Sequence, residues 1–198
     1  MPPIDPSRPR AKPVTRRTIL SRRDALSAEA RATASAEIAR RAGELIATAR
    51  VVALYAPKGS EADTTALDAL ARAGGARVVY PRVVDSAREL AFHAARIDEL
   101  VPARFGLREP AADPATVVEL AAIDAFVVPG LAFDRAGGRI GWGRGHYDAT
   151  LAAAPRAQRI GLAFECQLVA EVPVDPHDVR LHAIVTEAGV YRVGAEVQ

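Results

Sequence analysis

The segment D-A-F-V-V at residues 124–128 places four apolar side chains in a row behind an aspartate. A run this short and this apolar is typical of a strand that is buried on both faces, as in the middle of a parallel sheet. Similar runs recur and predict further strands: R-V-V-A-L-Y at 50–55, R-V-V-Y at 77–80, E-L-A-F-H at 89–93, R-I-G-L-A-F at 159–164 and L-H-A-I-V-T at 181–186.

Helical patterns fill the intervals between these strands. They predict helices over residues 16–49, with a break at 26–27 where Ser27 can cap the second helix, over 63–73 and 147–154, and near Gln167. Strands that alternate with helices predict an α/β fold, here a single three-layer domain whose mainly parallel sheet is covered by helices on both faces. Ligands of such sheets bind outside the carboxyl ends of the strands.

Composition and charge limit the class of protein. The chain has 198 residues, of which 49% are hydrophobic, and these suffice for one substantial core. Its formal net charge of +2 favours neither a nucleic-acid coat nor an acidic partner. The single cysteine excludes an internal disulfide, and no apolar run approaches the ~20 residues of a membrane span. We therefore expect a disordered leader at 1–11, one domain at 12–198, no nucleic-acid or membrane partner, and a cytoplasmic monomer.

The segment G-R-I-G-W-G-R-G-H-Y-D at 138–148 carries the strongest sign of a ligand. Its alternating glycines let backbone amides converge on an anion, the start of the following helix adds more amides, and Arg139 and Arg144 add positive charge. Asp148 would offer a hard oxygen ligand to Mg²⁺ beside a phosphate. Composition alone fits a mobile glycine hairpin equally well. Neither the P-loop pattern G-x-x-x-x-G-K-[ST] nor the fingerprint G-x-G-x-x-G occurs, so this would be another kind of phosphate site.

The same segment resembles the signature R-[LI]-G-x-G-x-G-[YF]-Y-D of the 5-formyltetrahydrofolate cyclo-ligase family, also called 5,10-methenyltetrahydrofolate synthetases. V-V-P-G-L-A-F-D at 127–134 is similar to the family's lead-in to that signature. Further matches follow in family order: K-P-V-T-R at 12–16, Y-A-P-K-G-S-E-A-D-T at 55–64, F-G-L-R-E-P at 105–110, G-L-A-F-E-C-Q at 161–167 and V-P-V-D-P-H-D at 172–178. Several separated motifs in one order argue against coincidence.

This resemblance implies a fold, an activity and a set of ligands. The fold is similar to that of sugar isomerases and CoA transferases. Members of the family use ATP and Mg²⁺ to close 5-formyltetrahydrofolate to 5,10-methenyltetrahydrofolate, with release of ADP and phosphate. In the family's proposed mechanism the formyl oxygen attacks the γ-phosphoryl group, N10 attacks the activated carbon, and phosphate departs. The implied partners are therefore small molecules.

Site residues follow from the resemblance, position by position. It implies an ATP site made of Lys12, Arg16, Arg139, Gly141, Gly143, Arg144 and Gly145. It implies a folate site made of Ala56, Glu61, Trp142, His146 and Tyr147, and a Mg²⁺ site made of Asp148 and Asp178. Arg144 and Tyr147 are the candidate catalytic residues. A carboxylate such as Glu61 can accept hydrogen bonds from a pterin ring, and aromatic side chains suit its flat face.

Each of these residues also has an ordinary structural interpretation. Lys12 and Arg16 can be a solvated basic N-terminus, Glu61 a loop carboxylate, Asp148 a helix-start cap and Asp178 part of an exposed turn. The aromatic residues can be ordinary core or surface side chains.

Two positions depart from the family pattern. His146 stands where the family has tyrosine, which puts any contact of that hydroxyl in doubt. His182 stands where an acidic residue is common, next to the presumed metal region, and a histidine there could change local charge with pH. Gln167 matches a recurrent family glutamine to which the sequence assigns no role.

Three other functions stay open at this point. The chain could be a non-catalytic relative that binds folate or nucleotide, although five matched site residues argue against a loss of catalytic function. It could be an RNA-binding protein, although its basic residues are dispersed and no stacking-aromatic module appears. It could also be an ATP-dependent enzyme of the same fold with another amide-like substrate, an alternative that rests on His146.

Overall fold

The computed structural model describes residues 11–173 and 175–194, with 11–15 described by their backbone alone. The predicted leader at 1–11 lies outside the described residues except for Ala11, which begins a helix. The described chain forms the helices α1 (Ala11–Asp24), α2 (Ala28–Leu45), α3 (Thr65–Ala73) and α4 (His146–Ala153). The predicted break at 26–27 is confirmed, because the Ser27 side chain accepts a 3.1 Å hydrogen bond from the Ala30 N–H at the start of α2.

Short strands and 3₁₀ turns make up the rest of the regular structure. The strands are β1 (Val51–Ala53), β2 (Arg77–Arg82), β3 (Ala91–Ala94), β4 (Val101–Pro102), β5 (Arg108–Glu109), β6 (Val117–Val118), β7 (Ala125–Val128), β8 (Ala132–Phe133), β9 (Arg139–Ile140), β10 (Gln158–Leu162), β11 (Ala183–Val185) and β12 (Val190–Arg192). The 3₁₀ turns are Ile97–Glu99, Arg104–Gly106, Pro114–Thr116, Leu120–Ala122 and Glu165–Gln167.

Eight of these strands form one sheet in the order β12-β11-β10-β7-β1-β2-β3-β6. The five central strands, from β11 to β2, pair in parallel, whereas β12, β3 and β6 join through antiparallel pairs. The prediction of a mainly parallel sheet is therefore confirmed. Short antiparallel ladders also join β4 to β5 and β8 to β9 outside this sheet.

The two faces of the sheet pack against different helices. Ala125 and Val127 of β7 are buried with residues of α2 and α3, whereas Phe126 and Val128 are buried with Leu151 of α4. Successive residues of a strand point to opposite faces, so a strand covered on both sides must be apolar throughout, as D-A-F-V-V is after its aspartate. This burial confirms the predicted three-layer arrangement.

The sheet edges differ from the prediction. β12 was not predicted, and the strand predicted at 181–186 is a strand only from Ala183 to Val185. Leu181 donates its N–H away from the sheet, to the Gly137 carbonyl at 2.9 Å. His182 still donates its N–H to the Arg159 carbonyl of β10, at 2.8 Å. The His182 ring accepts a hydrogen bond from the Arg159 backbone N–H, and desolvation together with the Arg159 charge lowers its pKa. No helix of the described residues is long and apolar enough to cross a membrane.

Candidate active site

A cavity of about 660 Å³ opens at the carboxyl ends of the central strands. Its wall includes Tyr55 after β1, Pro81 near the end of β2 and Pro129 after β7. Thirteen of the site residues expected from the sequence also line it: Arg16, Ala56, Glu61, Arg139, Gly141, Trp142, Gly143, Arg144, Gly145, His146, Tyr147, Asp148 and Asp178. Lys12 belongs to the first turn of α1, and its side chain lies outside the described part of the chain. The structure thus brings all the described candidates together in one cavity.

The hairpin of β8 and β9 presents the glycine segment to the cavity. Buried Asp134 fixes its turn, because Oδ1 accepts hydrogen bonds from the N–H groups of Gly138 (2.7 Å) and Ala136 (3.0 Å). Its other oxygen accepts a 2.8 Å bond from the Val172 N–H. The sequence motif contained Asp134, but its anchoring role depends on a partner far along the chain.

The glycine segment adopts a conformation that side chains disfavour. Gly143 has φ 88° and Gly145, which precedes α4, has φ 72°, both in the left-handed region. Arg16 of α1 crosses the loop and donates from Nε to the Gly141 carbonyl at 2.9 Å. A Cβ at Gly143 would lie only 3.1 Å from Arg16 Nη2. Glycine is therefore required here both for backbone freedom and for the approach of an arginine.

Arg139 and Asp148 form an ion pair in the wall of the cavity. Arg139 Nη2 lies 2.9 Å from Asp148 Oδ1, and the two side chains are 6% and 24% exposed. The Val179 N–H also donates to this oxygen, at 3.4 Å. Gly145 occupies the capping position of α4, and Asp148 lies within its first turn. The geometry therefore argues against a mere helix-cap role for Asp148, because its carboxylate pairs with Arg139.

Aspartate oxygens provide the possible metal ligands of the cavity. Asp178 lines it together with Asp148 and with Asp175, which the sequence analysis did not single out, and the Asp175 N–H donates to Asp178 Oδ2 at 2.7 Å. Among the described residues no group of three or more His, Cys, Asp or Glu side chains is placed to hold a metal by itself. Mg²⁺ commonly takes only one or two carboxylates and completes its shell with water and phosphate oxygens. This donor set fits such an ion.

Glu61 lies in a tight loop that also lines the cavity. Its Oε2 accepts a 3.0 Å hydrogen bond from the Lys58 N–H, and its own N–H donates to the Lys58 carbonyl at 3.2 Å. Burial raises the pKa of the Glu61 carboxyl above its usual value. The hydrogen bond from Lys58, the charge of Arg23 and the Trp142 side chain oppose this effect on the pKa without cancelling it. The balance between burial and these neighbouring groups therefore decides at which pH the Glu61 carboxyl loses its charge.

The Arg104–Gly106 turn brings Phe105 over the mouth of the cavity. Phe105 is 52% exposed and has φ 62°, a left-handed conformation that is rare for a bulky residue. The Arg144 guanidinium stacks 3.6 Å from the centre of its ring, and Lys58 Nζ donates to its carbonyl. Lys58 Nζ also lies 5.7 Å from the centre of the Trp142 ring. Lys58 and Phe105 belong to motifs recognised in the sequence, but the contact between them was not predicted, since it joins two distant loops.

His146 and Tyr147 begin α4 and have different surroundings. His146 Nδ1 lies 2.9 Å from the Arg88 carbonyl, an acceptor, so this nitrogen carries the proton. Burial and the Glu61 charge raise the pKa of Tyr147, which keeps its phenol neutral. Tyr147 can therefore donate a hydrogen bond in the cavity but is not suited to act as a base.

Gln167 has a structural role beneath the site. It is buried, and its Oε1 accepts a 2.9 Å bond from the Phe164 N–H. Its Nε2 donates to the carbonyls of Gly130 and Leu131, both at 3.0 Å. Gln167 thus ties the chain after β10 to the segment that enters the β8–β9 hairpin.

Comparisons with known proteins agree with these motifs. The model of the 5-formyltetrahydrofolate cyclo-ligase family matches residues 8–187. A 5-formyltetrahydrofolate cyclo-ligase of Mycolicibacterium smegmatis is 38% identical over 147 residues, which are 71% of this chain and 76% of that protein. The Escherichia coli protein of the same name is 35% identical over 152 residues, covering 74% and 82% of the two chains.

Solved structures show the same likeness. The 5,10-methenyltetrahydrofolate synthetase of Aquifex aeolicus superposes with a TM-score of 0.75 at 27% identity, over 94% of this chain and 95% of that one. The synthetase of Mycoplasma pneumoniae gives a TM-score of 0.72 at 26% identity, over 89% and 99% of the two chains.

Proposed function

The chain belongs to the 5-formyltetrahydrofolate cyclo-ligase family, and we propose that its cavity binds ATP and 5-formyltetrahydrofolate side by side and joins N10 to the formyl carbon. One observation carries the proposal: the arginine-lined glycine segment and the Glu61 loop face the same cavity of about 660 Å³. A phosphate chain at the first and a pterin at the second would be close enough to react. The products are 5,10-methenyltetrahydrofolate, ADP and phosphate.

The glycine segment would hold the triphosphate. Its backbone amides and the start of α4 offer N–H groups to an anion, as helix N-termini commonly do. Arg16, Arg139 and Arg144 line this part of the cavity and would neutralise phosphate charge. Lys12, four residues before Arg16, is assigned to the same ligand through the family motif. To bind a phosphate oxygen, Arg144 would have to give up its stacking on Phe105.

Asp148 and Asp178 would hold Mg²⁺ beside the phosphates. Their oxygens are the hard ligands that this ion prefers, and both line the cavity. The chemistry supplied by a bound Mg²⁺ is neutralisation of phosphate charge. Arg139, already paired with Asp148, would keep that carboxylate in place.

The Glu61 side of the cavity would hold the folate. The carboxylate would accept hydrogen bonds from pterin N–H groups, and Trp142, Tyr147 and Ala56 would contact the flat rings. His146, bonded to Arg88, would set the start of α4 rather than replace the missing tyrosine hydroxyl.

The proposed reaction turns a poor leaving group into a good one. The formyl oxygen forms a bond to the γ-phosphorus as the bond from that phosphorus to ADP breaks. The N10 lone pair then attacks the formyl carbon, the N10 proton is released, and the carbon–oxygen bond to phosphate breaks. Arg144 would offset the charge that moves between the phosphates, and the neutral Tyr147 phenol would donate a hydrogen bond.

The proposal is tested by mixing the purified protein with 5-formyltetrahydrofolate and Mg-ATP and following the methenyl product by ultraviolet absorbance. We expect product only when ATP is present. Product without ATP would contradict the phosphorylation step. Release of ADP without methenyl product would indicate another substrate, and folate binding without turnover would indicate a non-catalytic relative.

Replacing Gly143 by alanine is expected to raise KM for ATP by ~5–30-fold. A left-handed non-glycine residue costs ~1–2 kcal/mol, so the loop of the variant should relax to another conformation that ATP binding must reverse. The new methyl group would also approach Arg16. Steady-state kinetics with varied ATP measure the change. Gly189→Ala is the matched control, because a Cβ there meets nothing within 4 Å. An unchanged KM for ATP in Gly143→Ala would remove the loop from the ATP site.

Other expectations about the protein remain proposals. We propose that it acts as a monomer in the cytoplasm and has no nucleic-acid or membrane partner. Sedimentation of the purified protein at several concentrations checks the monomer, and a mass that grows with concentration would disprove it.

A further inference from the structure

Arg23 is a buried arginine that does not line the cavity. It lies on α1, its residue exposure is 2%, and its Nε donates to Ser60 Oγ at 2.9 Å. The Ser60 hydroxyl in turn donates to the Asp24 carboxylate. Arg23 Nη1 is buried and has no hydrogen-bond partner among the described residues. Burying a guanidinium with an unpaired N–H is unfavourable, so this residue does not serve stability alone.

The contact with Ser60 places Arg23 directly behind Glu61. Ser60 and Glu61 belong to one tight loop, which Lys58 and Glu61 close by hydrogen bonds in both directions. The Arg23 charge acts on the Glu61 carboxylate and on the buried Tyr55 hydroxyl. Arg23 thus touches the loop through one nitrogen and influences its carboxylate through its charge.

Five groups from different parts of the chain surround the Glu61 carboxylate. They are Arg23 of α1, Lys58 of its own loop, Trp142 of the glycine segment, and the tyrosines Tyr55 after β1 and Tyr147 of α4. Only Arg23 and Lys58 in this set are cations. The Lys58 ammonium is directed to the Phe105 carbonyl at the exposed side of the cavity. Arg23 is therefore the cation on the buried side.

We propose that Arg23 is a positioning residue for Glu61, fixing the 58–61 loop through Ser60 and placing a buried positive charge behind the carboxylate. Arg16 lies two turns earlier on the same helix and bonds to the glycine segment. Helix α1 thus contacts both the glycine segment and the 58–61 loop. The inference rests on the proposed function only for the identity of the ligand that Glu61 binds.

Trp142 allows a test that needs no ligand. It is the only tryptophan of the chain, and it lines the same cavity as Glu61 and acts on that carboxyl, so its fluorescence should change as the carboxyl titrates. We expect the midpoint of this change to rise by ~1 pH unit in Arg23→Met, because an opposite charge favours the ionised carboxylate. Arg22→Met, at an exposed neighbouring arginine of α1, should match the wild type. Glu61→Gln identifies the transition by abolishing it.

The kinetic consequence distinguishes this inference from the proposed function. In Arg23→Met we expect KM for 5-formyltetrahydrofolate to rise ~10-fold, since a misplaced carboxylate binds poorly, with little change in KM for ATP. If the wild type lacks cyclo-ligase activity, the proposed function fails while the fluorescence test of Arg23 still stands. A wild-type fluorescence midpoint in Arg23→Met would overturn the inference.

Two further variants keep the test decisive if Arg23→Met does not fold. Arg23→Lys keeps the charge and should hold the midpoint near the wild-type value. Ser60→Ala removes the hydroxyl that Arg23 contacts and should raise KM for the folate several-fold while the protein still melts cooperatively. An unchanged KM in folded Ser60→Ala would overturn the positioning role.

Discussion

Replacing Asp148 by asparagine is expected to reduce turnover by about 10²–10³-fold, the effect of removing one group that stabilises charge in a transition state. Asparagine keeps an oxygen for the Val179 N–H and for Arg139, so the wall of the cavity should persist. It loses the negative charge that faces Arg139 and would bind Mg²⁺. The rate of methenyl formation at saturating substrates, measured across a Mg²⁺ titration, gives the result.

Asp98→Asn is the matched control for this change. Asp98 is exposed and pairs with Arg96 at the surface, where an ion pair contributes little. We expect the control to retain wild-type turnover and Mg²⁺ dependence. Normal turnover in Asp148→Asn, with a normal Mg²⁺ requirement, would refute the metal assignment. If turnover is lost, circular dichroism of both variants shows whether the loss is due to misfolding.

Replacing Glu61 by glutamine is expected to raise KM for 5-formyltetrahydrofolate by ~10–150-fold, because hydrogen bonds to a charged group contribute ~1.5–3 kcal/mol. The amide also turns an N–H group toward the N–H groups of the pterin. KM for ATP should change much less, since the glycine segment is untouched. Steady-state kinetics with each substrate varied in turn measure both constants.

The same variant should lose a pH dependence of the wild type. Folate affinity of the wild type should fall as the pH drops through the pKa of Glu61, which burial places above the usual glutamate value. Glu61→Gln should show no such fall in that range. Glu119→Gln, at an exposed carboxylate, serves as the control. A wild-type pH profile in Glu61→Gln would mean that another group titrates.

The central part of the fold was predictable because it depends on local patterns. D-A-F-V-V had to be buried on both faces, and Ser27 had to cap a helix, so these elements lie where the sequence placed them. The edges were less predictable. β12 is half exposed and pairs only with β11, and Leu181 leaves the predicted strand because Gly137 accepts its N–H. Such choices depend on residues distant in sequence.

The site was predictable to the extent that its residues belong to motifs. Residues 139–148 and Glu61 all line one cavity, as the resemblance implied. The ion pair of Arg139 with Asp148 and the contact of Arg23 with Ser60 were not predictable, because their partners meet only after the hairpin and α1 have packed. Gln167 also belongs to a family motif. Its hydrogen bonds to the Gly130 and Leu131 carbonyls show that this glutamine has a structural role.

The scarcity of lysine makes the cavity loop a distinctive protease target. The chain contains two lysines, and cleavage after Lys12 would remove only a short N-terminal peptide. The bond from Lys58 to Gly59 is the other lysyl bond, and it lies in the loop that carries Glu61, with Lys58 held by the Phe105 carbonyl. The conversion of one gel band into two therefore reports the opening of this single loop, and a ligand that closes the cavity should slow it.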